Sequence, residues 1–258
     1  METNKQKMEK KYRLLEDDTV LVDGRTLYRI IALRDFADVK TGDKGGYVES
    51  ENNLSQSCDS WVYNDAKVYD DAEVCGNAEV CENAKVCENA KVYGDAVVYG
   101  DAEVYCDAVV CDDAEVCGYA EVYGDAVVRG KAGVYGDAVV RGKAKVYGDA
   151  EVCDDAEVYG DAVVCGDAKV YGDAMICGDA VVCDDASYYV SKNVWSSGRF
   201  FTYTRSNRMW CVGYFHGTGE ELIRKAYQDS KVSGREYERI VKYVEAMYAD
   251  LEKDKSKD

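Results

Sequence analysis

Between residues 62 and 186 the hydrophobic pattern keeps a strict beat of six. Alanine stands at every sixth position from Ala66 to Ala186, 21 times without exception. Its companion two places on, from Val62 to Val182, is valine 20 times and isoleucine once, at Ile176. The unit reads A-x-V-[YC]-G-[DN]. "A-x-V" alternates as a short strand does, with Ala and Val on one face and x on the other. "G-D" or "D-D" then supplies a turn, since Gly, Asn and Asp tolerate positive φ. A helix is excluded, because six is not a multiple of 3.6 and the interior residues are β-branched. Three-residue strands cannot stand alone, but stacked coils can bury one Ala and one Val per unit in a continuous core. The chain contains no proline, as uninterrupted backbone ladders require.

The motif "VYGDAV" resembles the hexapeptide repeat of left-handed parallel β-helix proteins. That resemblance covers residues 62–186 and implies triangular coils of three hexads, hence seven coils and about 34 Å of rod. Upstream, "LYRIIALRDFADVKTGDKGGYVESENNLSQSCDSWVY" (27–63) is similar to the lead-in of certain bacterial and prophage hexapeptide-repeat proteins, commonly described as transferases. Residues 27–61 therefore read as capping strands around a "TGDKGG" turn. Residues 1–26 read as a flexible, charged segment without the apolar core of a secretory signal.

Past Ala186 the beat stops, and 187–258 read as a ββαα module. "GRFFTYTRSNRMWCVGYF" (198–215) predicts a hairpin around "SNR". Thr218 with Glu221, and Ser233 with Glu236, have capping-box spacing and predict two helices. In the second, Tyr237, Ile240, Val241, Val244, Met247, Tyr248 and Leu251 share an apolar face.

Charge sharpens the picture. The net charge is −18, and the repeat region alone holds 28 acidic and 9 basic residues. Such a chain disfavours direct contact with nucleic acid or an anionic membrane. No apolar run reaches the length of a membrane span, and a cytosolic protein, bacterial or from a phage-infected cell, is expected. Asp or Asn fills the position before Ala in 18 of the 21 hexads, so ranks of carboxylates should run along the rod, among them Asp95, Asp113, Asp149 and Asp167. They suit a turn and keep a solenoid soluble. They also suit contact with a basic groove, as a mimic of nucleic acid. The third module is basic, through Arg199, Arg205 and Arg208 among others.

If three hexads make a coil, residues 18 apart stack. One outward column then reads Glu73, Lys91, Val109, Val127, Lys145, Val163, Val181, and valines gather there more than in the other two. A twelve-residue coil would scatter them. An exposed apolar stripe marks an interface: self-association, docking of the C-terminal segment, or a partner. Valine's strand preference under repeat duplication explains it equally well.

Candidate chemistry is sparse. Many proteins of the resembled family are acyltransferases with a histidine base in or between coils, and its carbonic anhydrases hold a metal on three histidines. This chain has one histidine, His216, beyond the last hexad, so no catalytic residue is carried over and His216 stands as a weak candidate. No cofactor motif is present, and no metal set is read. Nine of the 12 cysteines share one repeat slot with Tyr and Arg, which predicts free thiols rather than ligands or disulfides. The leading expectation is a non-catalytic, acidic, solenoidal binding protein, plausibly of phage or prophage origin. Its partner would be a host protein such as a nucleic-acid-handling or defence enzyme. An acyltransferase using His216 and a self-assembling structural protein are the alternatives.

Overall fold

Residues 9–194 and 198–255 are described by a computed structural model. Among the described residues, 21 two- to four-residue strands, β4–β24, run from Trp61–Val62 to Val181–Val182. They stack in parallel with neighbours 18 residues apart, as in Val97↔Glu115 and Val109↔Val127. Three faces result: one from Trp61–Val62 to Lys169–Val170, one from Lys67–Val68 to Met175–Ile176, and one from Glu73–Val74 to Val181–Val182. The eighteen-residue coil is thus correct and the twelve-residue one is not. Every Ala and Val of the beat from Val74 to Val182 is at most 1% exposed. A fully buried Val contributes about 1.5–3 kcal/mol, and the column of small side chains forms one continuous core.

The solenoid has about eight turns rather than seven. The additional turn is the lead-in. The strand β3 (Lys44–Val48) pairs in parallel with Lys67–Val68, and Leu54 bridges to Val74. Val48 and Leu54 are one hexad apart, but the path from Leu54 to Val62 takes eight residues, so the first coil is two longer than the rest. The second half of "TGDKGG" is strand, not turn. A Cβ at Gly45 would lie 2.5 Å from the Val62 carbonyl oxygen, and one at Gly46 as close to that of Ala66.

The segment expected to be flexible through residue 26 holds a strand. β1 (Tyr12–Val22) pairs antiparallel with β2 (Arg25–Ala32) across a two-residue turn, Asp23 (φ 49°) and Gly24 (φ 81°). This is the positive-φ pair that suits a hairpin. β2 in turn pairs antiparallel with β3, so the hairpin extends one solenoid face to ten strands.

The turn of each hexad uses the slot before the Asp. Gly124 sits there at φ 73°, and a Cβ on it would lie 2.9 Å from the backbone nitrogen of Gly142 in the next coil. Where the slot is not glycine the backbone is left-handed, as at Glu88 (φ 59°) and Asp112 (φ 62°), except in the last hexad, where Asp184 is extended. Asp112 gains a partner there: its carboxylate accepts from the Gly130 N–H, one coil on, at 3.2 Å.

The ladder has a direction, and it sets what each end requires. Most inter-coil N–H groups donate to the coil that follows, as Glu157 does to Ala174 and Val163 to Ala180. The first coil therefore needs donors and the last needs acceptors. At the first end Lys11, fully buried, donates from Nζ to the carbonyls of Cys58 (2.8 Å) and Ser60 (2.7 Å). Burial pulls its ammonium down to about 8. Tyr12 Oη donates to the Leu54 carbonyl, and Asn53 Nδ2 to those of Asp70 and Ala72. Trp61 closes the core with Tyr12 and Phe36 edge-on against it.

At the far end three N–H groups six residues apart, one per face, meet oxygen. Lys169 donates to Asp185 Oδ1 (3.1 Å), Met175 to Thr202 Oγ1 (2.9 Å) and Val181 to Ser206 Oγ (2.7 Å). Thr202 and Ser206 belong to the C-terminal module. Its sheet is antiparallel in the order β25 (Tyr188–Lys192), β26 (Phe200–Thr204), β27 (Met209–Val212), β28 (Phe215–Gly217). Helices α1 (Gly219–Asp229) and α2 (Lys231–Lys255) pack on it over a separate core that includes Phe201, Trp210, Leu222, Val241 and Val244. The module thus has four strands where the sequence suggested two. The Thr218–Glu221 capping box is present in both directions. Helix α2 begins earlier than expected: Ser230 Oγ, not Ser233, accepts from a first-turn N–H. Leu251, expected on the apolar face, is exposed.

Two outcomes are expected. Lys11→Met and Ser206→Ala each leave carbonyls or an N–H of a terminal coil unpaired, and each should lower unfolding stability by about 1–3 kcal/mol. Glu88→Gly should raise the thermal midpoint while Gly124→Ala lowers it, because a left-handed backbone costs a non-glycine residue about 1–2 kcal/mol. Thermal melts followed by circular dichroism read both.

Candidate functional site

The two features predicted for the rod's surface lie side by side. Val109, Val127, Val163 and Val181 occupy successive strands of one face, in register through Lys145. Val109, Val127 and Val163 are half-buried by their neighbours, and Val181 is exposed. From Val109 the chain runs through Cys111 and Asp112 to Asp113, at the corner joining this face to the next. Asp95, Asp113, Asp149 and Asp167 stack on that corner with Lys131 between them, all exposed. Asn77 starts the column, donating from Nδ2 to Asp95 Oδ1 at 2.8 Å.

The carboxylates of the rod fall into two sets by slot. Asp70, Asp112 and Asp154 stand in the left-handed slot, and each accepts from the N–H one coil on. Those in the following slot, including the four above, are exposed and give the corners their charge, with Asp65, Asp179 and Asp185 meeting Arg29, Asn207 and the Lys169 N–H. Glutamates on the faces are partly neutralised: Glu103 by Lys85 (2.6 Å), Glu157 by Arg141 (3.2 Å) and Glu151 by Lys169 (3.0 Å). Like charges therefore stack on this corner at about 4.8 Å with one lysine to interrupt them, and the other two corners carry comparable exposed columns, through Asp101, Asp137, Asp155 and Asp173 and through Asp107, Asp125, Asp161 and Asp179. The slot after Val holds rings and guanidinium groups in layers, with Tyr105 stacked on Tyr123 at 4.7 Å and Arg141 over Tyr159 at 4.2 Å. Packing between coils accounts for that slot.

The C-terminal arginines do not form one basic patch. Arg205 and Arg208 both face Glu252 of α2, at 3.7 and 3.3 Å, and Arg205 also lies over the Tyr248 ring. Arg199 is elsewhere, its side chain beside Gly213 and its carbonyl accepting from Asn193. Nor does the module lie along the valine face. It closes the end of the rod, so docking of this segment is not what the stripe is for.

His216 is brought to that closure. It stands on β28 directly opposite Cys211 of β27, and a Cβ at Gly178 would lie 2.8 Å from its Cε1. Gly178 belongs to the last coil, between Cys177 and Asp179. The structure places the sulfurs of Cys177 and Cys211 within bonding distance, and likewise those of Cys165 and Cys183 in successive coils. The expectation of free thiols throughout does not hold for these four, because the 18-residue register and the docked sheet each bring two cysteines together. The other eight are unpaired thiols. Asp179 accepts from Asn207 Nδ2 at 3.0 Å, a bond that holds its carboxyl below the usual range, with the nearby His216 acting in the same sense. The sequence marks His216 only as a candidate beyond the last hexad and gives no role to Cys211. The signal was a Cys and a His five apart across the glycine of a tight hairpin.

No hydroxyl nucleophile and base are paired at His216 among the described residues' hydrogen bonds, and the clefts around α1 and α2 are lined by mixed polar and apolar residues. No helix is long and apolar enough to cross a membrane among the described residues. Neither a scan of protein-family models nor a search of curated proteins finds a match to this chain.

Stacked like charges predict a salt response. Raising ionic strength from about 0.01 to 0.15 M shortens the screening length from about 30 to 8 Å. The thermal midpoint should therefore rise with salt. Asn at Asp95, Asp113, Asp149 and Asp167 together should raise the low-salt midpoint and flatten the response.

Proposed function

We propose that the protein is a non-catalytic binding protein that presents a rigid acidic corner, flanked by an apolar stripe, to a protein partner with a basic groove. The observation that carries this reading is the adjacency of the Asp95–Asp167 column and the Val109–Val181 column on a scaffold with no histidine in any coil. An interface needs an apolar centre and a charged surround, and these two columns supply both along the length of the rod. Rigidity helps, since little conformational freedom remains to be lost on association.

The partner class that fits is a nucleic-acid-handling or defence enzyme of a bacterial host, whose groove normally receives phosphates. The chain would then be phage- or prophage-encoded and act in the cytosol. Column spacing of about 4.8 Å does not match the phosphate repeat along one strand, about 3.4 Å of helix axis, so the contact is with the charge of a groove rather than a phosphate-by-phosphate copy. The resemblance of the hexads to left-handed parallel β-helix proteins supports a left-handed coil. No observation favours acyl transfer.

The test is a pull-down from bacterial lysate at low salt with the wild-type chain and two variants. One carries Asn at the four aspartates and the other Lys at Val109, Val127 and Val163. Retained protein should be released by heparin, a competing polyanion, and should be lost from both variants. Retention indifferent to heparin and to the Asn variant would overturn the reading. A wild-type chain that elutes as a dimer which only the Lys variant dissolves would assign the stripe to self-association instead.

A further inference from the structure

We infer that the seam between the rod and its C-terminal cap is a zinc site made by Cys177, Cys211 and His216 when the two cysteines are reduced. The two sulfurs and a ring nitrogen of His216 lie within 4.8 Å of one another. Tetrahedral zinc, with sulfur at about 2.3 Å and nitrogen at about 2.0–2.1 Å, spans its ligand atoms over distances of this order. The three ligands come from three separate pieces of chain: the corner of the last coil, β27 and β28. Each is fixed by something other than the metal. Cys177 follows Ile176 of the core, Cys211 is buried in the module's sheet, and His216 is paired with it across the hairpin.

The donor set selects the metal class. Two thiolates and an imidazole favour zinc and other soft or borderline ions over magnesium or calcium. Both cysteines are buried while His216 is exposed, so the fourth tetrahedral position faces solvent and takes a water. Binding displaces the two thiol protons to solvent, and no electron moves. The same sulfurs joined as a disulfide offer no thiolate, so the dithiol binds zinc and the disulfide does not. In either state the seam is clasped. This assignment does not depend on the binding role of the rod.

The experiment uses the full chain, reduced with a phosphine and freed of metal, with all 12 cysteines titrating as thiols in denaturant. Cobalt(II) is added as the probe, and zinc is then used to displace it. One cobalt per chain should bind with a thiolate-to-cobalt charge-transfer band and a tetrahedral visible spectrum. Zinc should abolish both. Cys211→Ser should lose the band, His216→Ala should weaken binding about tenfold or more, and Cys153→Ser should bind as the wild type does. Diamide-oxidised protein should not bind. His216→Ala keeps both thiols and guards against a misfolded Cys211→Ser, and circular dichroism checks each variant. An absent band in fully reduced protein would overturn the assignment. So would binding unchanged in Cys211→Ser and His216→Ala, which would place the metal on other thiols.

Discussion

The structure depends on a core that admits two kinds of side chain. Each side of each coil after the first contributes one Ala and one Val, or once an Ile, and from Val74 onward these are essentially removed from water. The interior is so narrow that the alternation leaves no room for a third inward residue, and interiors packed at crystal density do not tolerate one. Everything polar is thereby forced outward or to the two ends. The inside of the repeat is filled by these side chains, and the cleft formed by Asp125, Lys143, Lys145, Asp161 and Val163 lies on its outside. What the coils can hold is repetition: the same outward slot every 18 residues, in columns.

The ends follow a different rule, set by the polarity of the parallel ladder. A first end with unmet carbonyls collects donors: Lys11 and Tyr12 donate to the first coil, and Asn53, within that coil, donates from its side chain to the second. A last coil with unmet N–H groups collects acceptors, and Asp185, Thr202 and Ser206 are oxygens. The chemical asymmetry of the two caps is a consequence of backbone direction. The capping also covers backbone groups that an open solenoid edge would present for pairing.

This division explains which parts were legible in the sequence. The short strands and their turns follow from the beat, the 18-residue register and its columns from the resemblance to hexapeptide-repeat proteins, and the structure has them. The eighth turn was hidden because its first coil replaces Ala-x-Val with Gly46, Val48 and Leu54 and carries two extra residues before Val62. The N-terminal hairpin was hidden by "EDD" at 16–18: the pairing slips between Leu15 and Thr19, so apolar alternation breaks where the strand does not. The Asp23–Gly24 turn was the surviving signal. In the C-terminal module local chemistry was readable at Thr218 and misread at Ser233, where Ser230 offered the same hydroxyl three residues earlier. The candidate surface was half legible. Columns follow from periodicity, but which carboxylates are already occupied depends on φ, and only coordinates separate Asp112 from Asp113.

The same division says where discrete chemistry can arise in such a chain. A column repeats a side chain but cannot converge several on a point, because neighbours in a flat rank point the same way. Convergence needs chain arriving from another direction, and that happens where the solenoid stops. At the last coil a repeat cysteine, Cys177, differs from eight others in its slot in one respect: a docked sheet brings Cys211 and His216 to it. Cys153 and Cys117, in ordinary coils, have stacked neighbours and solvent and nothing opposite. A residue that reads as repeat filler along the rod thus becomes a potential ligand at its terminus, with no change in local sequence. The rod's faces suit an extended partner and its seam a single ion, because translation and termination are different geometries built from one six-residue unit.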